Sequence, residues 1–259
     1  MKQLGIIIFL TTIFIALSAH TVNKRLYRVK KIVIDAGHGG KDIGCHGKKS
    51  KEAHIALAVA LKIGDKLKEQ MKDVKIIYTR DSDVFIELQE RAAIANRNNA
   101  DLFISVHCNS AKAPHIAGSE TYTMGLHTSE GNLDVAKREN SVILKEEDYL
   151  EKYSGYDPTS PMAHILLANY QSAYLSQSIK FASYVEENFK DELGRNSRGV
   201  KQAGFLVLWK TTMPSSLIEI GYLTNDEEEK FLKDEINQDE VATTIVRAVK
   251  KYKTSFEAN

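Results

Sequence analysis

Short apolar, β-branched runs alternate along the chain with longer segments whose apolar residues recur at helical spacing. The strand-like runs are Ile32–Asp35, Val74–Thr79, Asp101–His107, Gly118–Met124, Phe205–Leu208 and Leu217–Ile220. Helical patterns run from Glu52 to about Met71, with Ser50 as the predicted cap, and over Glu87–Asn98, Asn132–Tyr149, Met162–Phe189, Asp226–Asp234 and Asp239–Lys253. Strands that alternate with helices predict an α/β sheet with helices packed on its faces.

The N-terminus carries the pattern of an export signal. Lys2 is followed by an apolar stretch from Leu4 to Leu17, after which small residues appear. The stretch is shorter than the about 20 residues that a membrane span needs. We therefore predict a signal peptide over residues 1–19 and a folded domain over residues 30–255, exported to the periplasm or cell envelope. An uncleaved membrane anchor is the alternative.

Composition places the chain among ordinary globular proteins and away from nucleic-acid binders. Of its 259 residues, 43% are hydrophobic and 27% are charged, and the formal net charge is +1. This supplies enough apolar mass for a core but no basic excess of the kind that binds nucleic acid. Because export permits disulfides, Cys45 and Cys108 are either bridged or two small free thiols.

Three residues form a candidate metal site. His38 lies in a glycine-rich turn after the first predicted strand, Glu52 lies in the first turn of the next helix, and His107 ends another strand. Ligands in α/β folds gather at the carboxyl ends of strands. Two imidazoles and one carboxylate, with the fourth position open, are a catalytic zinc arrangement, although the same set also suits other divalent ions.

Glu219 is the candidate catalytic group. It lies within an apolar strand, where a carboxylate is costly to bury unless it is paired or near a metal. Beside a metal-activated water it would act as general base and then protonate the leaving nitrogen; the alternative is that it faces solvent. Other histidines, which lie in a loop, point away from Glu52 or have no strand-end context, are weaker candidates: His46, His54, His115, His127 and His164.

Several motifs follow one another along nearly the whole chain after the N-terminal segment. They are Ile32–Asp42, Glu52 at the start of a helix, Thr79–Asp83, Leu88–Arg91, Ala95–Asn96, Ala100–Asn109, Arg198–Lys201 and Pro214–Asn225. In this order they resemble the zinc-dependent N-acetylmuramoyl-L-alanine amidases of the amidase-3 type. Two positions depart from that family, which usually carries alanine where this chain has Cys45 and Cys108.

The resemblance implies a fold, a metal and a reaction. It implies a mixed, mostly parallel six-stranded sheet flanked by helices. It makes His38, Glu52 and His107 the ligands of Zn²⁺ and Glu219 the catalytic glutamate. The implied reaction is hydrolysis of the amide between the lactyl group of N-acetylmuramic acid and L-alanine in peptidoglycan, with zinc polarising the carbonyl and holding the water.

Other functions remain open from sequence. A zinc peptidase that cuts within the stem peptide needs similar metal chemistry, but it would release peptides that lack the first L-alanine. A non-catalytic wall-binding module would be expected to have lost a catalytic residue. An activator or scaffold would not need Glu219.

The resemblance also implies a regulatory segment. Compact relatives lack much of the stretch between Gly125 and Tyr174, whereas in division-type relatives an inserted helix covers the active site until a partner removes it. We therefore expect a helical insertion at about residues 128–173, of which residues 130–163 cover the site, and a protein activator acting in daughter-cell separation. The alternative is a solvated hairpin with no gating role. If the segment covers the site, one of three of its carboxylates would occupy the open zinc position: Glu139, Glu146 or Glu147.

Overall fold

Six strands form one sheet at the centre of the chain. The computed structural model describes residues 28–168 and 173–258, so the predicted signal peptide lies outside the described residues. The strands are β1 (Lys31–Ala36), β2 (Lys75–Tyr78), β3 (Leu102–Asn109), β4 (Ser119–Met124), β5 (Ser197–Ala203) and β6 (Ser215–Tyr222). Their order is β2-β1-β3-β6-β4-β5, and every neighbouring pair is parallel except β4 with β6. The predicted mixed, mostly parallel sheet is therefore confirmed.

Helices cover both faces of the sheet. They are α1 (Glu52–Gln70), α2 (Leu88–Arg97), α3 (Glu130–Asn140), α4 (Tyr149–Lys152), α5 (Pro161–Ala168), α6 (Leu175–Asp191), α7 (Leu206–Trp209), α8 (Asp226–Lys233) and α9 (Glu235–Glu257). Because side chains alternate along a strand, Ile104 and Ile218 pack in the layer of α1, α6 and α9, whereas Phe103 and Leu217 pack in the layer that contains α2, α3 and α7. None of the described helices is long and apolar enough to cross a membrane.

The strand predicted at Phe205–Leu208 is wrong. This short buried run forms α7 instead, and the sixth strand is β5, which the sequence pattern did not indicate. Periodicity alone does not distinguish a short buried strand from a buried helical turn. The sequence of β5 is mostly polar, and the strand lies partly exposed at the sheet edge, so it shows no clean alternation.

The start of α1 also differs from expectation. The residue before the helix is Lys51, which makes no side-chain cap, and the Ser50 hydroxyl instead donates to the Glu229 carboxylate over 2.6 Å. The predicted cap is therefore wrong. Glu52 becomes the first helical residue, at the amino end that faces the carboxyl ends of β1 and β3.

The inserted segment is more broken than its helical pattern suggested. The pattern predicted over Asn132–Tyr149 ends as α-helix at Asn140, continues as a 3₁₀ helix over Ser141–Lys145, and resumes in the short α4. The pattern over Met162–Phe189 is split, since α5 ends at Ala168 and α6 begins at Leu175. We use "the insertion" for α3, the 3₁₀ helix, α4 and α5.

Candidate metal centre

The structure brings three residues that are distant in sequence to one point at the carboxyl ends of β1 and β3. His38 follows β1, His107 lies near the end of β3, and Glu52 opens α1. The Glu52 Oε1 atom lies 3.0 Å from His38 Nε2 and 3.0 Å from His107 Nδ1. All three residues are buried, so the expected candidates converge.

A fourth group completes the cluster from the insertion. The Oε2 atom of Glu139, on α3, lies 3.1 Å from His38 Nε2 and 3.1 Å from His107 Nδ1. Of the three carboxylates considered from sequence, this is the one at the site. Glu146 instead accepts from the Leu88 backbone amide over 3.0 Å, and Glu147 is exposed.

The donor atoms suit a metal ion. Potential ligand atoms of His38, Glu52, His107 and Glu139 all lie within 4.8 Å of one another. His38 Nε2 and Glu139 Oε2 are buried without a hydrogen-bond partner in the described part of the chain, and such orphaned atoms are rare unless a ligand satisfies them. Zinc bonds of about 2.0–2.2 Å place tetrahedral neighbours roughly 3.3–3.6 Å apart, close to the observed separations of 3.0–3.1 Å.

The turn that carries His38 is held by two buried arginines. His38 has a φ of 58°, a left-handed conformation that a non-glycine residue rarely adopts. Its carbonyl accepts from Arg91 over 2.7 Å, and the Gly37 carbonyl accepts from Arg80 over 2.7 Å. A Cβ at Gly37 would lie 2.5 Å from the His107 ring, so only glycine fits between the two histidines.

A carboxylate orients the His38 ring from behind. Asp42 Oδ2 lies 2.6 Å from His38 Nδ1, which leaves Nε2 facing the cluster. The other Asp42 oxygen accepts from Lys145 of the insertion over 2.7 Å. Burial alone would raise the pKa of Asp42, but His38 and Lys145 outweigh it and lower that pKa. A carboxylate behind a histidine ligand fixes its ring and tautomer.

Backbone amides fix Glu52. The Cys45 amide donates to Oε2 over 2.8 Å, and the Cys108 amide donates to Oε1 over 3.0 Å. Both cysteines are free, and the Cys45 thiol donates to the Cys108 carbonyl over 3.0 Å. The question of a disulfide is therefore answered by two free thiols that pack beneath the cluster.

Glu219 lies beside the cluster. It is the register partner of His107 across the β3–β6 pair and is 0% exposed. Its Oε1 atom lies 3.3 Å from Nη2 of Arg138, while Oε2 is buried with no partner among the described residues. Burial, and then the nearby Glu139 carboxylate, raise the pKa of Glu219 well above its ordinary value, although Arg138 opposes this.

The cluster has a strongly negative environment. Burial alone would lower the pKa of His107, but Glu139 and Glu52 outweigh it and raise that pKa to about 9. In the same way, Glu52 and Glu139 outweigh burial and raise the pKa of His38 well above its usual range. The two carboxylates therefore favour a cation between the rings, either a proton or a metal ion.

Two site residues were not singled out from sequence. Asp42 belongs to the motif that carries His38, but its role depends on a contact that only the folded turn creates. Arg138 precedes Glu139 and bridges it to Glu219, through Nε at 3.0 Å to Glu139 and Nη2 at 3.3 Å to Glu219. Of the weaker histidine candidates, His54 pairs with Asp83 at the surface, and no other histidine joins the described cluster.

Known proteins resemble this chain over most of its length. The sequence model of the family described as N-acetylmuramoyl-L-alanine amidase matches residues 32–251. The amidase AmiA of Escherichia coli K12 is 30% identical over 225 residues, covering 85% of this chain and 75% of AmiA. The crystal structure of an N-acetylmuramoyl-L-alanine amidase from Clostridium difficile 630 is 27% identical with a TM-score of 0.64, covering 87% and 97%. The catalytic domain of CwlV from Bacillus (Paenibacillus) polymyxa is 31% identical with a TM-score of 0.58, covering 86% and 97%.

Proposed function

Since the chain belongs to the N-acetylmuramoyl-L-alanine amidase family and hydrolyses the amide between N-acetylmuramic acid and L-alanine in peptidoglycan, we propose how it does so. His38, Glu52 and His107 hold Zn²⁺, and Glu219 is the catalytic residue. The convergence of two imidazole nitrogens and a carboxylate oxygen, 3.0 Å apart and buried, carries the proposal. A zinc ion held by these three residues would supply a Lewis acid for the scissile carbonyl and for the attacking water.

Glu219 has the properties of the proton carrier in this reaction. Its Oε2 atom is buried, makes no hydrogen bond within the described chain, and stands one strand away from His107. Burial raises the pKa of Glu219 and so strengthens its carboxylate as a base toward water, and the proton that it gains is then passed to the leaving nitrogen of L-alanine. Glu219 therefore takes the proton at Oε2 and delivers it to the departing amine.

The insertion acts as an autoinhibitory cover. Glu139 lies 3.1 Å from one nitrogen of each histidine, in the position that water or the substrate carbonyl needs. Arg138 contacts Glu219 at the same time. One turn of α3 thus blocks both the metal position and the catalytic carboxylate, and this double block supports a gating role over a freely solvated hairpin.

A protein activator acting in the cell envelope would relieve this block. The insertion exposes several apolar side chains, and Met162 and Leu166 on α5 are 62% and 65% exposed. Exposed apolar surface of this kind marks interaction sites. Export through the predicted signal peptide at residues 1–19 and a role in daughter-cell separation complete the proposal.

The proposal is tested with purified mature protein, zinc and peptidoglycan, followed by mass spectrometry of the products and by measurement of bound zinc. Wild type, a deletion of residues 137–160 and Glu139→Gln are compared, each with and without Glu219→Ala. We expect intact stem peptides that begin with L-alanine, released faster by the two opened variants and not released by the Glu219→Ala proteins.

Each outcome separates the parts of the proposal. Peptides that lack the first L-alanine would show a peptidase instead of an amidase. Product formation that survives Glu219→Ala would remove Glu219 from catalysis. A folded deletion variant with unchanged or lower activity would disprove the cover. A folded wild type that binds no zinc would disprove the metal site whatever the activity.

A further inference from the structure

A groove of about 670 Å³ opens over Glu120, the strand neighbour of Glu219 on the side away from His107, and the amidase reaction described so far does not use it. Residues of β4, β5 and β6 line it, including Glu120, Tyr122, Arg198, Lys201 and Tyr222. Helix α3 forms part of its wall through Val135 and Arg138. The groove therefore reaches Glu219 through Arg138, which lines it and lies 3.3 Å from the Glu219 carboxylate.

The sheet register fixes where this groove stands relative to the reaction. Glu219 pairs with His107 on one side and with Glu120 on the other, so the three side chains form a row across β3, β6 and β4. Neighbouring strands lie about 4.8 Å apart. Glu120, at the floor of the groove, is thus one strand beyond Glu219. Strand β5 lies two strand spacings, about 10 Å, from the strand that carries Glu219.

A bulge in β5 places two cations over this floor. Ser197 pairs with Ser119 and Val200 pairs with Thr121, so β5 contains one extra residue between these pairs. Gly199 has a φ of 83°, the left-handed conformation that glycine supplies at such bulges. Because of the extra residue, Arg198 and Lys201 reach the same carboxylate of Glu120 although they are three positions apart.

The charges at this point do not balance. Glu120 is 1% exposed and provides one negative charge for two cations, and the side chains of Arg198 and Lys201 remain 33% and 21% exposed. Arg198 uses Nε for Glu120, and its terminal nitrogens make no hydrogen bond to the described chain. The cluster can therefore bind an additional anion, and an arginine and a lysine together suit a carboxylate.

The orientation of the cover indicates which half of the substrate enters the groove. Glu139 places a carboxylate beside the histidines, and Arg138 places a cation beside Glu219. Hydrolysis of the amide yields the same two charges, the lactyl carboxylate and the amine of L-alanine. Because Arg138 also lines the groove, the amine half, which is the stem peptide, leads into it.

We propose that this groove is the stem-peptide subsite and that Arg198 and Lys201 bind a free carboxylate of the peptide's second residue. This inference deepens the proposed amidase function and rests on it. An extended peptide advances about 3.3–3.6 Å per residue. Two residues from the scissile amide thus span roughly 7 Å. The long Arg198 and Lys201 side chains, which reach inward to Glu120, cover the remaining distance from β5. The subsite selects stem peptides with D-glutamate over those whose carboxylate is amidated.

The test uses the full chain with Glu139→Gln, so that the site is open, and two soluble N-acetylmuramoyl tripeptides. They differ only at the second residue, which is γ-linked D-glutamate or its amide, D-isoglutamine. We expect Arg198→Gln and Lys201→Met each to raise KM for the free acid roughly tenfold and to change KM for the amide and kcat for both by less than about twofold. Lys201→Arg keeps the charge and should keep the low KM. Arg97→Gln, which removes an exposed cation from α2, is the matched control.

A catalysis-independent measurement separates this inference from the proposed function. Calorimetry with the free peptides L-Ala-γ-D-Glu-L-Lys and its amide reports binding alone. A preference for the acid that Lys201→Met abolishes supports the subsite, even if the protein hydrolyses nothing. The absence of hydrolysis would then overturn only the amidase mechanism. Hydrolysis of both substrates with no preference for the acid, or an equal rise in KM for both, overturns the subsite and leaves the amidase in place. If the protein neither binds nor hydrolyses either peptide, both the subsite and the amidase mechanism are overturned.

Discussion

Glu52 and Glu139 place carboxylate oxygens around the same two histidines, yet different parts of the molecule hold them. Glu52 begins a helix packed on the sheet, and two backbone amides bind its oxygens at 2.8 and 3.0 Å. Glu139 comes from the insertion, and outside the histidines its carboxylate contacts only the adjacent Arg138 in the described chain. The Cys108 amide belongs to β3 and the Cys45 amide to the turn that precedes α1, whereas Glu139 is held through α3 of the insertion, the helix that the proposed gating would displace. In the proposed mechanism, the way each carboxylate is attached to the fold, more than its chemistry, distinguishes the permanent ligand Glu52 from the removable Glu139.

Replacing Glu52, the carboxylate that two backbone amides hold, should have the largest effect on zinc binding and turnover. We expect Glu52→Gln to lose bound zinc and to lower the turnover of an opened enzyme by roughly a thousandfold or more, because an anionic ligand disappears and one amide donor must face a backbone N–H. Elemental analysis of the dialysed protein and the peptide-release assay measure both effects. Glu69→Gln, at the exposed end of the same helix, is the control. Full zinc content in Glu52→Gln would contradict the role of Glu52.

Replacing Glu139, the carboxylate that the insertion supplies, should raise the reaction rate instead of lowering it. We expect Glu139→Gln to raise the initial rate on peptidoglycan by about tenfold or more, since the interaction of a buried anion with the metal position is lost. The rate of stem-peptide release, at equal zinc content, measures this gain. Glu147→Gln removes an exposed charge from the same insertion and should change nothing. Equal rates for the two variants would show that α3 does not gate the site.

A contact farther from the metal should give a smaller activation. Lys145→Met breaks the link between the insertion and Asp42 at 2.7 Å. Because the Lys145 side chain is 43% exposed, we expect only about a two- to fivefold rise in rate. Lys137→Met, on α3, is the control. A fall in the rate of Lys145→Met would mean that Lys145 supports His38 through Asp42 more than it holds the cover.

The smallest expected effect is on the rise in Tm that zinc causes, which reports whether Glu139 binds the metal. If Glu139 contributes to zinc affinity by about tenfold, or about 1.4 kcal/mol, the rise in Tm on adding zinc should be roughly 3–6 °C smaller in Glu139→Gln than in wild type. Differential scanning fluorimetry with and without a chelator measures this difference, and Glu147→Gln should match wild type. An unchanged rise would mean that Glu139 blocks the site without binding the metal.

Much of the fold and the candidate site followed from sequence. Strands that alternate with helices predicted the sheet, and the strand-end rule together with the family motifs selected His38, Glu52, His107 and Glu219. The structure brings these residues together, and their roles stay predictions. The pairing of Glu219 with His107 could not be predicted, because register depends on which strands become neighbours.

The errors have physical reasons. Strand β5 was missed because an edge strand with a bulge lacks alternation, and the buried run at Phe205–Leu208 resembled a strand in composition. A helical insertion was predicted at about residues 128–173, but its charged sequence offered three carboxylates of similar standing. Only the packing of α3 against the cluster separated Glu139 from Glu146 and Glu147.

Arg138 and Glu139 are consecutive residues of one rigid helix, and this adjacency has a consequence for signalling. In the proposed mechanism, a helix that withdraws Glu139 from the histidines also withdraws Arg138 from Glu219, so that the two sites are uncovered together. The proposed activator would therefore act on the enzyme as a two-state switch. Intermediate doses of that activator would change the fraction of molecules that are switched on and leave the working speed of each molecule the same.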